Sequence, residues 1–424
     1  LPLFIAVWLA FLVLLAVLIV LQGTPWGRVL RGIREDEDAT AALGKNVFAY
    51  KLQSLAIAAA LAAVAGFFVA LNVTFLYPSV FDPTFTFFGY AMLVLGGFAS
   101  YGGVVLGGIL FWTLLRDLHS FPTRRSSDLA PLHHRRVLSP APQPAPPPGA
   151  PRQPRRDAGA PMTAPAGPIL EVRGAVKAFD GLLAVAGASF DVERGSITAL
   201  IGPNGAGKTT MFDLLSGFGR PDAGTIRLAG RDIAGMAPYR IANLGLVRTF
   251  QLTRVLAGMS VMDNMLLAAR NQPGEHLAAL ILSPGRSRAA EAAARESAIG
   301  LLATFGLAAK AGDYAGALSG GQRKLLEIAR ALMTGPSIVL LDEPMAGVNP
   351  TLGRDILDPI AALRSARGTT FLFVEHDMDV VMTRADKVIV MAQGRVIATG
   401  TPAGIRADPA VVEAYLGTPH AVAP

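Results

Sequence analysis

The chain has 424 residues, of which 52% are hydrophobic and 16% charged, a balance more apolar than soluble domains usually show and a length that suits two or three domains. It contains no cysteine, which excludes disulfides, thiol catalysis and cysteine metal sites, and its six histidines lack metal-ligand spacing. The net charge of +7 does not mark a nucleic-acid binder: residues 119–161 hold 7 arginines against Asp128 and Asp157 and supply +5 of it, while neither flanking part is strongly basic.

Residues 3–21 form an almost unbroken apolar run, about the 20 residues that a helix needs to cross a bilayer. The basic start and small-residue cleavage site of a signal peptide are missing from it. Because the chain begins with Leu1, an N-terminal portion is expected to be absent. Residues 52–75 supply a second span. Residues 84–115 supply a third, long one interrupted by Gly96, Gly97, Gly102, Gly103, Gly107 and Gly108, which allow close helix packing or a broken helix. Arg28, Arg31, Arg34, Lys45 and Lys51 lie in or beside the first loop, whereas residues 77–83 contain no Lys or Arg. The first loop is therefore expected on the cytoplasmic side, and the third span is expected to end there. Within that loop, residues 34–44 have an acidic start, a helix-forming middle and a glycine stop, which predicts a short helix.

Residues 130–161 hold 10 of the chain's 30 prolines and almost no periodic apolar pattern, so this stretch is expected to be disordered. The preceding peptide, residues 119–129 (HSFPTRRSSDL), resembles the in-frame translation of a sequencing-library adapter. That resemblance implies two reading frames joined during assembly, with Met162 as the natural start of the second; a genuine fusion through a linker is the alternative. The expected division is a transmembrane fragment over residues 1–117, a Pro/Arg-rich linker over 118–164, and a further domain over 165–424.

From Leu170 onward, short apolar runs separated by glycine give way to alternating strand-like and helix-like segments, which predicts an α/β domain. The strand candidate 197–201 runs into Gly202, Pro203, Asn204, Gly205, Ala206, Gly207, Lys208, Thr209 and Thr210, the strand, P-loop and helix order of a phosphate-binding loop. Its glycines let backbone N–H groups turn around phosphates, and the next helix presents its positive N-terminal end. Lys208 neutralises phosphate charge and Thr209 offers a hydroxyl to Mg²⁺. The apolar strand 337–341 ends in Asp342 and Glu343, at the edge where α/β proteins place ligands. Asp342 suits Mg²⁺ as a hard oxygen ligand, and Glu343 suits a general base acting on water. Alone, two adjacent acids would be a solvated turn. Ser319, Gly320, Gly321 and Gln322 precede a helical stretch and form a second candidate anion site at a helix start.

Taken in order, the P-loop, the 318–322 LSGGQ run and the Asp342–Glu343 pair resemble the motifs of ABC ATPases, over about 255 residues. The resemblance implies an α/β P-loop fold, ATP hydrolysis and a Mg²⁺ cofactor. It also implies that Ser319 to Gln322 contact ATP held by a second ATPase subunit, in a head-to-tail dimer. Phe179 resembles the aromatic that stacks on adenine, although a ring packed on its own domain is the alternative. Gln251 corresponds to the glutamine that senses Mg²⁺ and the permease, and His376 to the switch histidine that holds the γ phosphate. Asn349, where many members carry Asp, and the 248–251 and 411–417 regions are similar to the branched-chain amino acid subgroup. Residues 34–44 and 93–108 resemble the coupling loop and the end of that subgroup's permeases. Together these imply an ATPase powering import of branched-chain or other hydrophobic amino acids, working with permease subunits and a substrate-binding protein. The ATPase would lie on the cytoplasmic face of the cell membrane. A fused exporter and a soluble non-transport ABC ATPase remain the alternatives.

Overall fold

Strands β3 (Ile197–Ile201), β7 (Ile338–Asp342) and β8 (Thr370–Val374) are β-branched, leucine and phenylalanine runs apart from Ala199 and the terminal Asp342, and every residue in them is buried. Such runs belong in a parallel sheet covered on both faces. In the computed structural model they form the middle of a six-stranded sheet of order β10-β9-β3-β8-β7-β6, completed by β6 (Leu246–Arg248), β9 (Lys387–Ala392) and β10 (Arg395–Gly400). All neighbours are parallel except the edge pair β9 and β10. A second, antiparallel sheet of order β2-β1-β4-β5 contains β1 (Leu170–Phe179), β2 (Leu182–Val192), β4 (Ala223–Leu228) and β5 (Arg231–Asp232).

The two-residue period of the strands sends alternate side chains to two separate cores. Ala199, Ile201, Val339, Leu341, Phe371 and Phe373 pack with the helices Val261–Leu267, Pro284–Thr304 and Gly320–Met333. Leu200, Ile338, Leu340, Leu372 and Val374 pack with the helix Lys208–Ser216 and the antiparallel sheet. Register pairs Leu341 with Phe373 and Asp342 with Val374, so neighbouring parallel strands end at one edge. The P-loop, Thr249 to Gln251, Glu343 and Glu375 all emerge from that edge.

The structure describes residues 2–73, 82–97, 101–120, 167–251, 253–346, 350–375 and 378–416. His376, Asn349, Gly417 and most of the Pro/Arg-rich linker lie outside them. Two units are present, residues Leu1–Gly66 together with Ala166–Pro424, and residues Phe67–Pro165.

Helix Pro2–Gln22 of the first unit, and helix Val47–Val73, which begins in that unit and whose residues from Phe67 on belong to the second, are long and apolar enough to cross a membrane. Between them, Thr24 caps a helix Pro25–Glu35 that begins on a proline, and Asp36 caps a helix Glu37–Ala42 through a 2.8 Å bond to the Ala39 N–H. Gly44, at φ +89°, carries the chain past its end. The short helix expected over residues 34–44 is thus present, and a second helix precedes it. Trp26, Val29, Ile33, Leu43 and Tyr50 share a core with Leu256, Met259 and Leu267 of the ATPase part.

In the second unit the expected third span is replaced by two helices, Thr84–Gly96 and Tyr101–Ser120. The first has 13 residues, well short of the roughly 20 needed for a crossing. A Cβ on Gly96 would strike the Gly103 carbonyl and one on Gly107 the Met92 carbonyl, so the glycines both interrupt the run and let the two helices pack backbone to backbone. The glycine-interrupted run expected over residues 84–115 is thus present as a broken and closely packed pair of helices, the second of them 20 residues long.

Candidate functional site

β3 delivers the chain into a turn that L-residues could not follow at three positions. Gly202, Gly205 and Gly207 have φ of +150°, +79° and +94°. A Cβ on Gly207 would run into the Ala184 carbonyl, and one on Gly202 into the Met391 carbonyl. The turn ends at Lys208, the first residue of the helix Lys208–Ser216, so backbone N–H groups and the helix terminus point the same way. The loop borders a cleft of about 660 Å³ lined by Phe179, Leu182, Asn204 to Thr210, Gln251, Glu343 and Gln393. Ten of the sequence-predicted residues, Phe179, Asn204, Gly205, Ala206, Gly207, Lys208, Thr209, Thr210, Gln251 and Glu343, thus meet in one place.

The charges in that cleft are organised by burial. Lys208 donates from Nζ to the carbonyls of Gly202 at 2.7 Å and Pro203 at 3.0 Å. Desolvation pulls its pKa below the usual lysine value, while Glu343 and Asp342 oppose the shift. Asp342 is almost fully buried, and burial raises its pKa against the counter-effect of the Arg248 guanidinium. Its Oδ2 accepts from Arg248 at 2.8 Å, and its Oδ1 is buried with no hydrogen-bond partner. Gln251 Nε2 donates to Glu343 Oε2 at 3.0 Å. Glu343 sits at φ +46°, a left-handed conformation unusual for a non-glycine residue and often found where a side chain must be aimed. Phe179 is half-exposed, with the Lys177 ammonium 5.2 Å from its ring centre.

The buried, unpartnered Asp342 Oδ1 and the hydroxyl of Thr209, which lines the cleft, are hard oxygen donors of the kind a divalent cation prefers, so the residues fit Mg²⁺. Ser319, Gly320, Gly321 and Gln322 do not line the cleft. They start the helix Gly320–Met333, where Ser319 Oγ accepts from the Gln322 N–H at 3.3 Å and Gln322 Oε1 accepts from the Ser319 N–H at 3.1 Å. Ser319 and Gly320 are exposed.

Sequence reasoning used Arg248 as a family marker and missed its contacts. Its guanidinium, 5% exposed, pairs with both Asp342 and Asp213, donates to Ser216 Oγ at 3.3 Å, and lies 5.5 Å from the Phe250 ring centre. Phe250 is in turn held by the helix Gly320–Met333: its N–H donates to Glu327 at 2.9 Å and its carbonyl accepts from Lys324 at 3.1 Å. Arg330 donates to the Arg254 carbonyl at 2.6 Å. Burial raises the pKa of Glu327 above the usual carboxylate value, against the opposing Lys324 charge. The available signal was Lys324, Glu327 and Arg330, charged residues spaced by three among the apolar residues of the stretch 324–333.

Arg254 lies 4.4 Å from the centre of the same Phe250 ring and pairs with Asp38 at 2.8 Å and Asp36 at 3.2 Å in the loop between the two long helices. The same loop is anchored by Arg28 to Asp263 (3.0 Å) and Glu291, by Lys45 to Glu275, and by the Gly258 N–H donating to Glu35 at 3.1 Å.

Comparison with known proteins follows the same division. Residues 185–346 match the ABC transporter family, residues 2–121 the permease component of the branched-chain amino acid transport system, and residues 395–421 the branched-chain amino acid ATP-binding cassette transporter family. The high-affinity branched-chain amino acid transport ATP-binding protein BraF of Pseudomonas aeruginosa is 44% identical over 59% of this chain and 98% of its own length. The corresponding LivG protein of Escherichia coli is 42% identical over 59% of this chain and 98% of its own length. A nucleotide-free ATP-binding cassette from an ABC transporter superposes with a TM-score of 0.52 at 38% identity, covering 59% of this chain and 99% of that one. The cleft, the ordered motifs and these likenesses agree: the chain belongs to the ABC transporter family, in its branched-chain amino acid branch, as an ATP-hydrolysing, membrane-associated protein that carries permease sequence ahead of its ATPase.

Proposed function

We propose that the chain powers import of branched-chain or other hydrophobic amino acids across the cytoplasmic membrane. The supporting observation is the pairing of Arg254 with Asp36 and Asp38, because it ties the loop between two membrane-length helices to the segment that carries Gln251. In this reading the ATPase part lies on the cytoplasmic face. Phe179 stacks on adenine, the backbone of Gly202 to Gly207 with Lys208, Thr209 and Thr210 holds the phosphates, and Glu343 takes the proton of the attacking water. Oxygen attack on the γ phosphorus breaks its bond to the β–γ bridging oxygen, leaving ADP and inorganic phosphate. Bound Mg²⁺, held by Thr209, Asp342 and Gln251, would neutralise phosphate charge. His376 holds the γ phosphate.

Ser319 to Gln322 serve the ATP of a second ATPase subunit, which supports a head-to-tail dimer because they stand outside the cleft of their own chain. Further permease subunits and a substrate-binding protein complete the importer. The transmembrane part covers residues 1–117, the linker 118–164 and the ATPase 165–424. The linker reads as an assembly junction; uninterrupted sequencing of the source DNA from the codons of Gly108 to those of Leu170 would then find a stop codon before Met162.

ATP-driven uptake of labelled leucine into vesicles, with the matching permease and binding protein supplied, tests the function. Uptake that requires both ATP and the binding protein supports it. Efflux of substrate, or ATP turnover indifferent to permease and amino acid, would refute import.

A further inference from the structure

The helix Leu277–Leu282 ends in two adjacent apolar residues, Ile281 and Leu282, that are 81% and 82% exposed, more than any other large apolar side chain among the described residues. The other face of the same helix is not free. Leu277 and Leu280 pack into the cluster that includes Leu21, at the end of one membrane-length helix, and Tyr50 and Ile57, in the first half of the other. The backbone just ahead of it is fixed to the same place: the Tyr50 hydroxyl donates to the Glu275 carbonyl at 3.3 Å, and Gly274 abuts the Pro25 ring. The exposed pair therefore stands level with the points where two membrane helices leave and re-enter the ATPase part. Beyond Ser283, Pro284 and Gly285, Arg286 and Arg288 follow, both exposed.

We propose that Ile281 and Leu282 insert into the headgroup and acyl-chain boundary of the bilayer, with Arg286 and Arg288 against anionic headgroups. The ATPase part then has a lipid contact of its own beside the loop that joins it to the permease sequence. Apolar side chains at the height of a bilayer interface, followed by arginines, match the chemistry of a lipid surface: the apolar area leaves water, and the cations gain from the negative surface potential. The inference rests on the reading that helices Pro2–Gln22 and Val47–Val73 span the membrane.

The cysteine-free sequence makes the test direct. Single-cysteine variants Leu282→Cys, Val13→Cys and Ser297→Cys of the full chain are labelled with an environment-sensitive fluorophore and reconstituted into vesicles of phosphatidylcholine and phosphatidylglycerol in equal parts. A nitroxide lipid labelled near the head of the acyl chain is expected to quench the probe at 282 about threefold more than the exposed position 297, and charge reversal of Arg286 and Arg288 is expected to reduce that quenching. Quenching at 282 by aqueous iodide but not by lipid nitroxide overturns the proposal. So does a probe quenched by neither, which would mean that protein, not lipid, covers the pair. If the probe at position 13 also escapes the lipid nitroxide, the membrane reading itself fails, and the proposal fails with it.

Discussion

Replacing Arg248 with methionine removes the cation that pairs, among the described residues, with a carboxylate almost wholly out of water. Asp342 would keep its negative charge with one oxygen newly orphaned and the other already without a partner. Breaking a buried pair from one side costs about 3–5 kcal/mol, which for a domain of this size lowers the melting temperature by about 10 °C. The pH dependence has a definite sign. Burial already raises the folded pKa of Asp342 above the unfolded carboxyl value of about 3.9, so its contribution to stability is complete below that value and is lost as pH rises through the folded pKa. Without Arg248 the folded pKa rises further, the loss extends to higher pH, and the acid limb of kcat/KM moves the same way because Mg²⁺ needs the carboxylate. Calorimetry across pH and ATPase pH profiles, on Arg248→Met and Arg248→Lys, measure both effects. Adding Asp342→Asn to Arg248→Met should recover about 2 kcal/mol or more relative to additivity, since the stranded charge is gone. A melting point within about 2 °C of the parent, with the acid limb unmoved, would refute the assignment of Arg248 as the partner that keeps Asp342 ionised.

Three further outcomes follow from the same geometry. Glu343→Gln should lower phosphate release by about 10²- to 10⁴-fold while leaving ATP binding intact, because the amide keeps the side chain's shape but cannot take a proton; loss of nucleotide binding in a filter assay would contradict the role. Gly320→Asp lies outside the cleft of its own chain, so it should spare nucleotide binding yet abolish turnover. Mixed with active chains it should depress their rate in proportion to its share, and an unchanged rate would argue against catalysis across subunits. Arg254→Ala severs the pairs to Asp36 and Asp38 without touching the cleft. It should retain basal ATP turnover and lose most of the stimulation by amino acid and binding protein, measured by phosphate release in vesicles.

Much of this was legible along the chain because it is written locally. The P-loop is encoded in closely spaced glycines and a lysine, the Asp342–Glu343 pair follows one apolar strand, and the loop helix Glu37–Ala42 has its own cap and glycine stop. Hydropathy found the helices Pro2–Gln22 and Val47–Val73 for the same reason, since a bilayer-length apolar run needs no partner to be recognised. Over residues 84–115 it left open whether the glycines serve packing or a break, and the structure shows both, with the chain breaking and packing on itself.

Tertiary structure decided what lies beyond the reach of spacing. Glu343 and Gln251 are 92 residues apart and meet because β6 and β7 are parallel neighbours that end at one edge. Arg248 reaches Asp342 by the same adjacency, and Arg254 reaches Asp36 across more than 200 residues. Lys324, Glu327 and Arg330 look like a solvated helix face in one dimension, yet they are buried, because they hold the backbone around Phe250 that no sheet partner satisfies. The sequence by itself singled out the candidate groups for the chemistry, since phosphate binding needs particular residues at close spacing. Which groups hold those residues in place and link them to the membrane helices was decided only when burial made each charge find a partner from a distant part of the chain.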